Sequence, residues 1–83
     1  MKEKEPLDAI LVKIGSKLKQ LRVKRGYTSH EDFAYDHDIP RMQYWRIEKG
    51  KANLTMKSLS RLLAIHKITF EEFFIALNKE AKK

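Results

Sequence analysis

The sequence predicts an all-α protein of five short helices. Three observations carry that prediction. Apolar residues recur at three- and four-residue steps along most of the chain. Residues that start or stop helices fall between those stretches. No strand-like alternation, internal repeat, glycine-rich loop or low-complexity stretch competes with them. A length of 83 residues predicts one domain with one core and no separate effector-sensing domain.

Each element follows from local chemistry. Pro6 suits the first turn of a helix and cannot sit in its interior, so helix 1 is expected to begin near Leu7 or Asp8. Leu7, Ile10, Leu11, Ile14, Leu18 and Leu21 then share one stripe, with Lys13, Lys17, Lys24 and Arg25 largely off it, until Gly26 ends the helix. Ser29 with Asp32, or Thr28 with Glu31, provides a capping-box-like start for a short helix 2 through Phe33, Ala34 and Tyr35 to about His37. Asp38-Ile39-Pro40 interrupts the pattern, because a residue before proline is pushed out of the helical region. Pro40 then opens helix 3, which is expected to run to about Lys49 and stop at Gly50.

After a loop at Lys51-Ala52-Asn53-Leu54, Thr55 can cap helix 4, in which Leu59, Leu62 and Leu63 share a face. Thr69-Phe70-Glu71-Glu72 is a full capping box for helix 5, with Phe70, Phe73, Phe74 and Leu77 on one side. Tyr27, Phe33, Tyr44, Phe70 and Phe73 fall on apolar faces and are expected in the core. The organisation predicted is a disordered tail over 1–6, a folded domain over 7–78 and a basic tail over 79–83.

Eighteen Lys and Arg against 11 Asp and Glu leave a formal charge of +7, a positive field that concentrates polyanions such as DNA, RNA, an anionic membrane or an acidic protein. The absence of cysteine excludes a disulfide framework and any thiolate metal site. No export signal is evident and no apolar run approaches the ~18 residues of a membrane span, so the cytoplasm is the expected location.

Catalytic residues, metal and cofactor are not expected. Ser29, His30 and Asp32 are neighbours at a helix start, where they cannot adopt triad geometry and where capping explains them. Glu71 and Glu72 read as cap and solvent-facing acids rather than a paired acid and base. His30, His37 and His66 are too far apart for a ligand pair on one helical face. With no activated nucleophile or phosphate-cradling loop, an enzyme is not predicted.

Two short helices joined by a tight turn in a basic domain match the arrangement in which the second helix lies in the DNA major groove. The run Ile14-Gly15-Ser16-Lys17-Leu18, then Leu21-Arg22, Gly26-Tyr27-Thr28, Phe33-Ala34, Ile39, Arg46-Ile47-Glu48-Lys49-Gly50, Leu59, Leu62 and Phe73-Phe74 resembles the Cro and xenobiotic-response-element helix-turn-helix family of phage and bacterial repressors. The resemblance spans roughly residues 10–75. It implies a compact five-helix, lambda-repressor-like fold whose helices 2 and 3 form the motif, and a transcriptional regulator of repressor type. Such a protein binds double-stranded DNA as a homodimer and needs no small-molecule ligand or membrane.

By resemblance, Arg41, Met42, Gln43 and Arg46 would contact bases. Their chemistry agrees: arginine pairs bidentately with guanine, glutamine with adenine, and methionine can lie against a thymine methyl. The resemblance places phosphate contacts at Ser29 or His30, where backbone N–H groups would face an anion, and at Lys49, Lys51 and Asn53. Arg22 and Glu48 match an internal ion pair between helix 1 and the end of helix 3. Helix 5, through Ile75, Leu77 and the tail, is the expected dimer surface, with half-sites about 34–36 Å apart on DNA.

The chain departs from the family pattern in several places. One extra residue lies between Thr28 and Phe33, Asp38 replaces the turn glycine, Pro40 replaces a serine or threonine cap, and His66-Lys67 replaces Leu-Gly. Trp45 is large for an outward position and can either meet the DNA backbone or pack on the domain's own flank. The competing readings are an adaptor or antitoxin-like partner on the same fold, a membrane-surface role through helix 1, and RNA binding. Arg41, Gln43 and Arg46 would then be an ordinary solvated helix face.

Overall fold

The computed structural model describes residues 6–81, with side chains described as far as Lys79. Five helices appear, α1 (Leu7–Lys24), α2 (His30–Asp36), α3 (Arg41–Glu48), α4 (Met56–Ile65) and α5 (Phe70–Ala81), with no strand among the described residues. The chain divides between Asn53 and Leu54 into one unit holding α1, α2 and α3 and another holding α4 and α5. No helix among the described residues is long and apolar enough to cross a membrane.

The first four helices end in the same way. In each, the residue after the C-cap takes a positive φ, namely Gly26 (98°), Asp38 (61°), Gly50 (72°) and Lys67 (57°). The residue after that donates its N–H back to a carbonyl five residues earlier: Tyr27 to Arg22, Ile39 to Ala34, Lys51 to Arg46 and Ile68 to Leu63. This is the Schellman motif, which satisfies carbonyls that the helix leaves without partners. At Asp38 and Lys67 an L-residue occupies the left-handed region, tolerated more readily by aspartate than by lysine.

The helix starts discriminate between alternatives that the sequence left open. Ser29, not Thr28, caps α2, its Oγ accepting from the N–H groups of Glu31 at 3.0 Å and Asp32 at 3.3 Å. Thr55 caps α4 through the Ser58 N–H at 3.0 Å. Thr69 and Glu72 form the reciprocal capping box of α5, with bonds of 3.0 and 2.9 Å. Pro40 is extended (φ −56°, ψ 129°) and precedes α3 as its N-cap, without a side-chain cap bond. Helix α5 includes Lys79 to Ala81, which the sequence assigns to the basic tail over 79–83; a lysine in the last turn complements the negative end of the helix dipole. The expected tail over residues 1–5 and Lys82–Lys83 falls outside the described residues.

In the first unit, Ile14 and Leu18 of α1, Phe33 and Ala34 of α2, and Tyr44 and Ile47 of α3 are buried. Phe33 is the hub, its ring centroid 5.0 Å from Tyr44, 4.6 Å from His37 and 5.2 Å from Tyr27 in an edge-on contact. Tyr27, expected in the core, is only half-buried, because its hydroxyl reaches out to donate to Asp36 Oδ2 at 2.7 Å. That bond, with the adjacent negative charge, raises the Tyr27 phenol above its ordinary range.

A close backbone approach joins α1 to α3. A Cβ on Gly15 would lie 2.5 Å from the Glu48 carbonyl oxygen and would also strike the Ile47 carbonyl. Gly15→Ala is therefore expected to destabilise the chain by about 1–3 kcal/mol, the usual cost of overpacking. This outweighs the roughly 1 kcal/mol that alanine gains over glycine inside a helix. Thermal unfolding checks the sign, and an unchanged or higher midpoint would show that the two helices have room to separate.

In the second unit, Leu59, Leu62 and Leu63 of α4 and Phe73 of α5 are buried. Phe70, expected in the core, is 36% exposed, as is Phe74 at 39%, with their rings 5.7 Å apart. Phe73 and Phe74 are separated by about 100° around the helix, so the apolar arc of α5 is wider than its buried side. Phe70 in the first turn of α5, with Phe74 and Ile75 in the second, carries the uncovered part.

Candidate nucleic-acid interface

Helix α3 presents two different faces. Tyr44, Ile47 and Glu48 are buried, while Arg41, Met42, Gln43 and Arg46 are exposed, Met42 by 57%. The four residues expected to read bases are thus brought together on one solvent-facing helix. Eight residues make a rod about 12 Å long, comparable to the width of the major groove. Arg41 Nη1 lies 3.3 Å from Glu31 Oε2 of α2, with both side chains more than half exposed. An exposed pair of this kind contributes little stability and can yield to a stronger acceptor.

The buried side of α3 is tied down by charge. Arg22 Nε donates to Glu48 Oε2 at 2.7 Å, and Nη2 donates to Oε1 at 3.1 Å, in a fork with both side chains only 5% exposed. The third donor, Nη1, reaches the Tyr27 carbonyl at 2.8 Å. One guanidinium thereby connects α1, the end of α3 and the loop that leads into α2. The Glu48 hydrogen bond holds the Arg22 guanidinium above its already high range. Burial, then the neighbouring Glu48 carboxylate, pushes the Tyr44 phenol upward, so it stays neutral in the folded chain.

The phosphate candidates divide. At the start of α2 the cap takes up part of the backbone that was expected to face an anion. The N–H groups of Glu31 and Asp32 are bonded to Ser29 Oγ, and that of Phe33 to the Ser29 carbonyl. Glu31 and Asp32 add negative charge to the same turn, so Ser29 and His30 remain phosphate candidates beside a partly used helix start. Lys49, Lys51 and Asn53 are all exposed beyond the C-terminal end of α3.

The sequence did not reveal the company that Trp45 keeps. This half-buried indole has the Lys49 Nζ 6.0 Å and the Lys51 Nζ 5.9 Å from its ring centroid. The four-residue spacing of Trp45 and Lys49 was a readable signal. The return of Lys51 was not, since it depends on the turn at Gly50. A Cβ there would lie 2.7 Å from Val12 Cα, so the left-handed turn and the packing on α1 both require glycine.

A short helix with an exposed arginine- and glutamine-bearing face, braced by a second helix across a tight turn, defines a DNA-binding regulator of the helix-turn-helix class. No family model matches the chain. It is 36% identical over 74 residues to the control protein C.MunI of a Mycoplasma species, an alignment covering 89% of this chain and all of that protein. The wild-type restriction-modification controller protein C.Esp1396I shares 31% identity at a TM-score of 0.76, with 96% of this chain and 97% of that one covered. The controller C.AhdI of Aeromonas hydrophila shares 29% identity at 0.68, covering 78% and 97%. This chain belongs to the restriction-modification controller proteins. One structure of C.Esp1396I is a tetramer on its natural 35-base-pair operator, matched here at a TM-score of 0.75 and 31% identity.

Proposed function

We propose that this chain binds operator DNA as a homodimer and regulates transcription of a restriction-modification locus, with residues 7–78 as its functional domain. It inserts α3 in the major groove, with Arg41, Met42, Gln43 and Arg46 towards base edges. Ser29, His30, Lys49, Lys51 and Asn53 contact phosphates, and the Arg22–Glu48 pair orients α3. It acts in the cytoplasm, without catalytic chemistry of its own. The observation that carries this reading is the four-residue exposed face of α3 opposite a buried bidentate ion pair, in a chain of the controller family.

The dimer surface is assigned to α5. Phe70, Phe74 and Ile75 (51% exposed) leave an apolar patch that an isologous contact between two copies would cover. The test is selection from a random duplex library at near-physiological salt, followed by binding of the enriched duplex. An inverted repeat with half-sites about 34–36 Å apart is expected. Arg46→Ala should cost about 1–3 kcal/mol on that duplex and relax the preference at one base position. Retention only at low salt, with no enriched sequence, would mean that the positive charge binds DNA generically and that the adaptor reading is the better one.

A further inference from the structure

Lys49 and Lys51 reach the same indole by different routes. Lys49 stands four residues beyond Trp45, one turn along the same side of α3. Lys51 lies past the end of the helix and would point away if the chain continued straight. The positive φ of Gly50 reverses it, and the 2.8 Å bond from the Lys51 N–H to the Arg46 carbonyl holds the reversal. Two ammonium groups thus stand within about 6 Å of one ring centroid, at the limit where the ring's negative face attracts a cation.

Two like charges drawn to one ring repel each other, and an anion placed against both relieves that repulsion. Each ammonium has three N–H donors, so contact with the ring leaves others for an acceptor oxygen. A free lysine must also lose rotamer freedom to hold a phosphate, and a lysine already resting on an indole has lost part of it. Trp45 borders Arg46 on the base-facing side of α3, so the cluster lies at the edge of the face that meets DNA.

We propose that Trp45 is a positioning residue that gathers Lys49 and Lys51 into one clamp for the DNA phosphate backbone at the C-terminal end of α3. The proposal rests on the operator-binding reading above. Trp45 adds no base preference; it sets how much the two lysines contribute. Its effect is therefore the same on every duplex and disappears when the lysines are removed.

The experiment uses the full chain, the duplex enriched by selection and a scrambled duplex of equal length. Trp45→Leu should weaken both by the same factor, about ten-fold, because two lysines must then lose on binding the rotamer freedom that the indole had already taken from them. Trp45→Phe should recover most of the loss, since a ring face remains. In the Lys49→Ala/Lys51→Ala chain the salt slope should already have fallen by about two, and Trp45→Leu should then have no further effect. In the free chain, ring currents should displace the side-chain methylene resonances of Lys49 and Lys51 upfield, and Trp45→Leu should return them. An equal loss from Trp45→Leu with and without the two lysines would overturn the proposal and make Trp45 a direct contact. Undisplaced lysine resonances would overturn it as well. Displaced resonances in a wild-type chain that retains no duplex would instead sink the operator reading, and the clamp's phosphate with it.

Discussion

Glu48→Ala is expected to lower the unfolding free energy by about 3–5 kcal/mol, because it leaves the Arg22 guanidinium buried without its partner. The magnitude follows from burial and not from the attraction itself. With both side chains 5% exposed and two hydrogen bonds between them, the pair has exchanged water for one another almost completely. Removing both members tests this directly. The Arg22→Met/Glu48→Leu chain should regain most of the lost stability, since apolar groups of similar size leave no stranded charge. Urea unfolding of the wild type, Arg22→Met, Glu48→Leu and the double variant supplies the cycle, and additive losses would mean that the two groups do not act as a pair. The double variant should still bind DNA more weakly than the wild type, because Arg22 Nη1 would no longer hold the Tyr27 carbonyl.

Phe33→Ala is the second large effect, also about 3–5 kcal/mol, the range for deleting a fully buried phenylalanine ring. A chain of this length has roughly 4–12 kcal/mol of stability in total, so either substitution removes a large share of it. Phe33 touches Tyr27, His37 and Tyr44, and it is the contact through which α2 grips α3. Its loss should therefore reduce helical content at 37 °C and abolish operator binding together. Phe33→Leu keeps most of the volume and should leave the chain folded with a smaller deficit. A folded Phe33→Ala chain that binds the operator normally would show that the angle between α2 and α3 is held by something else.

The helix-turn-helix motif was legible because its signals are local. Ser29, Thr55 and Thr69 are residues that cap helices by type, and each is bonded to an N–H two or three residues away. Gly26 and Gly50 stop helices by residue type, and both carry the positive φ that ends a helix. The exposed face of α3 followed from its apolar counterpart, since Tyr44, Ile47 and Glu48 occupy the opposite side. The base-reading and phosphate roles proposed for the named residues rest on that geometry and on the family resemblance together. Residue type alone does not show that Ser29 takes two of the N–H groups at the start of α2 for its own cap.

The sequence by itself determined the number of helices, their approximate ends, and which face of α3 is polar. Those properties depend on hydrogen bonds and side-chain contacts between residues at most about five positions apart, whose partners can be counted along the chain. Tertiary structure alone decided that Gly15 must lack a side chain, that Phe70 stays at the surface, and that Trp45 collects two lysines. It also decided how Arg22 divides its donors between Glu48 and the Tyr27 carbonyl. Gly15 and Glu48 are more than thirty residues apart, and no periodicity reports how closely two backbones pass. Lys51 reaches Trp45 only because a left-handed turn at Gly50 packs on Val12 of another helix, so the position of that charge depends on the packing of α1.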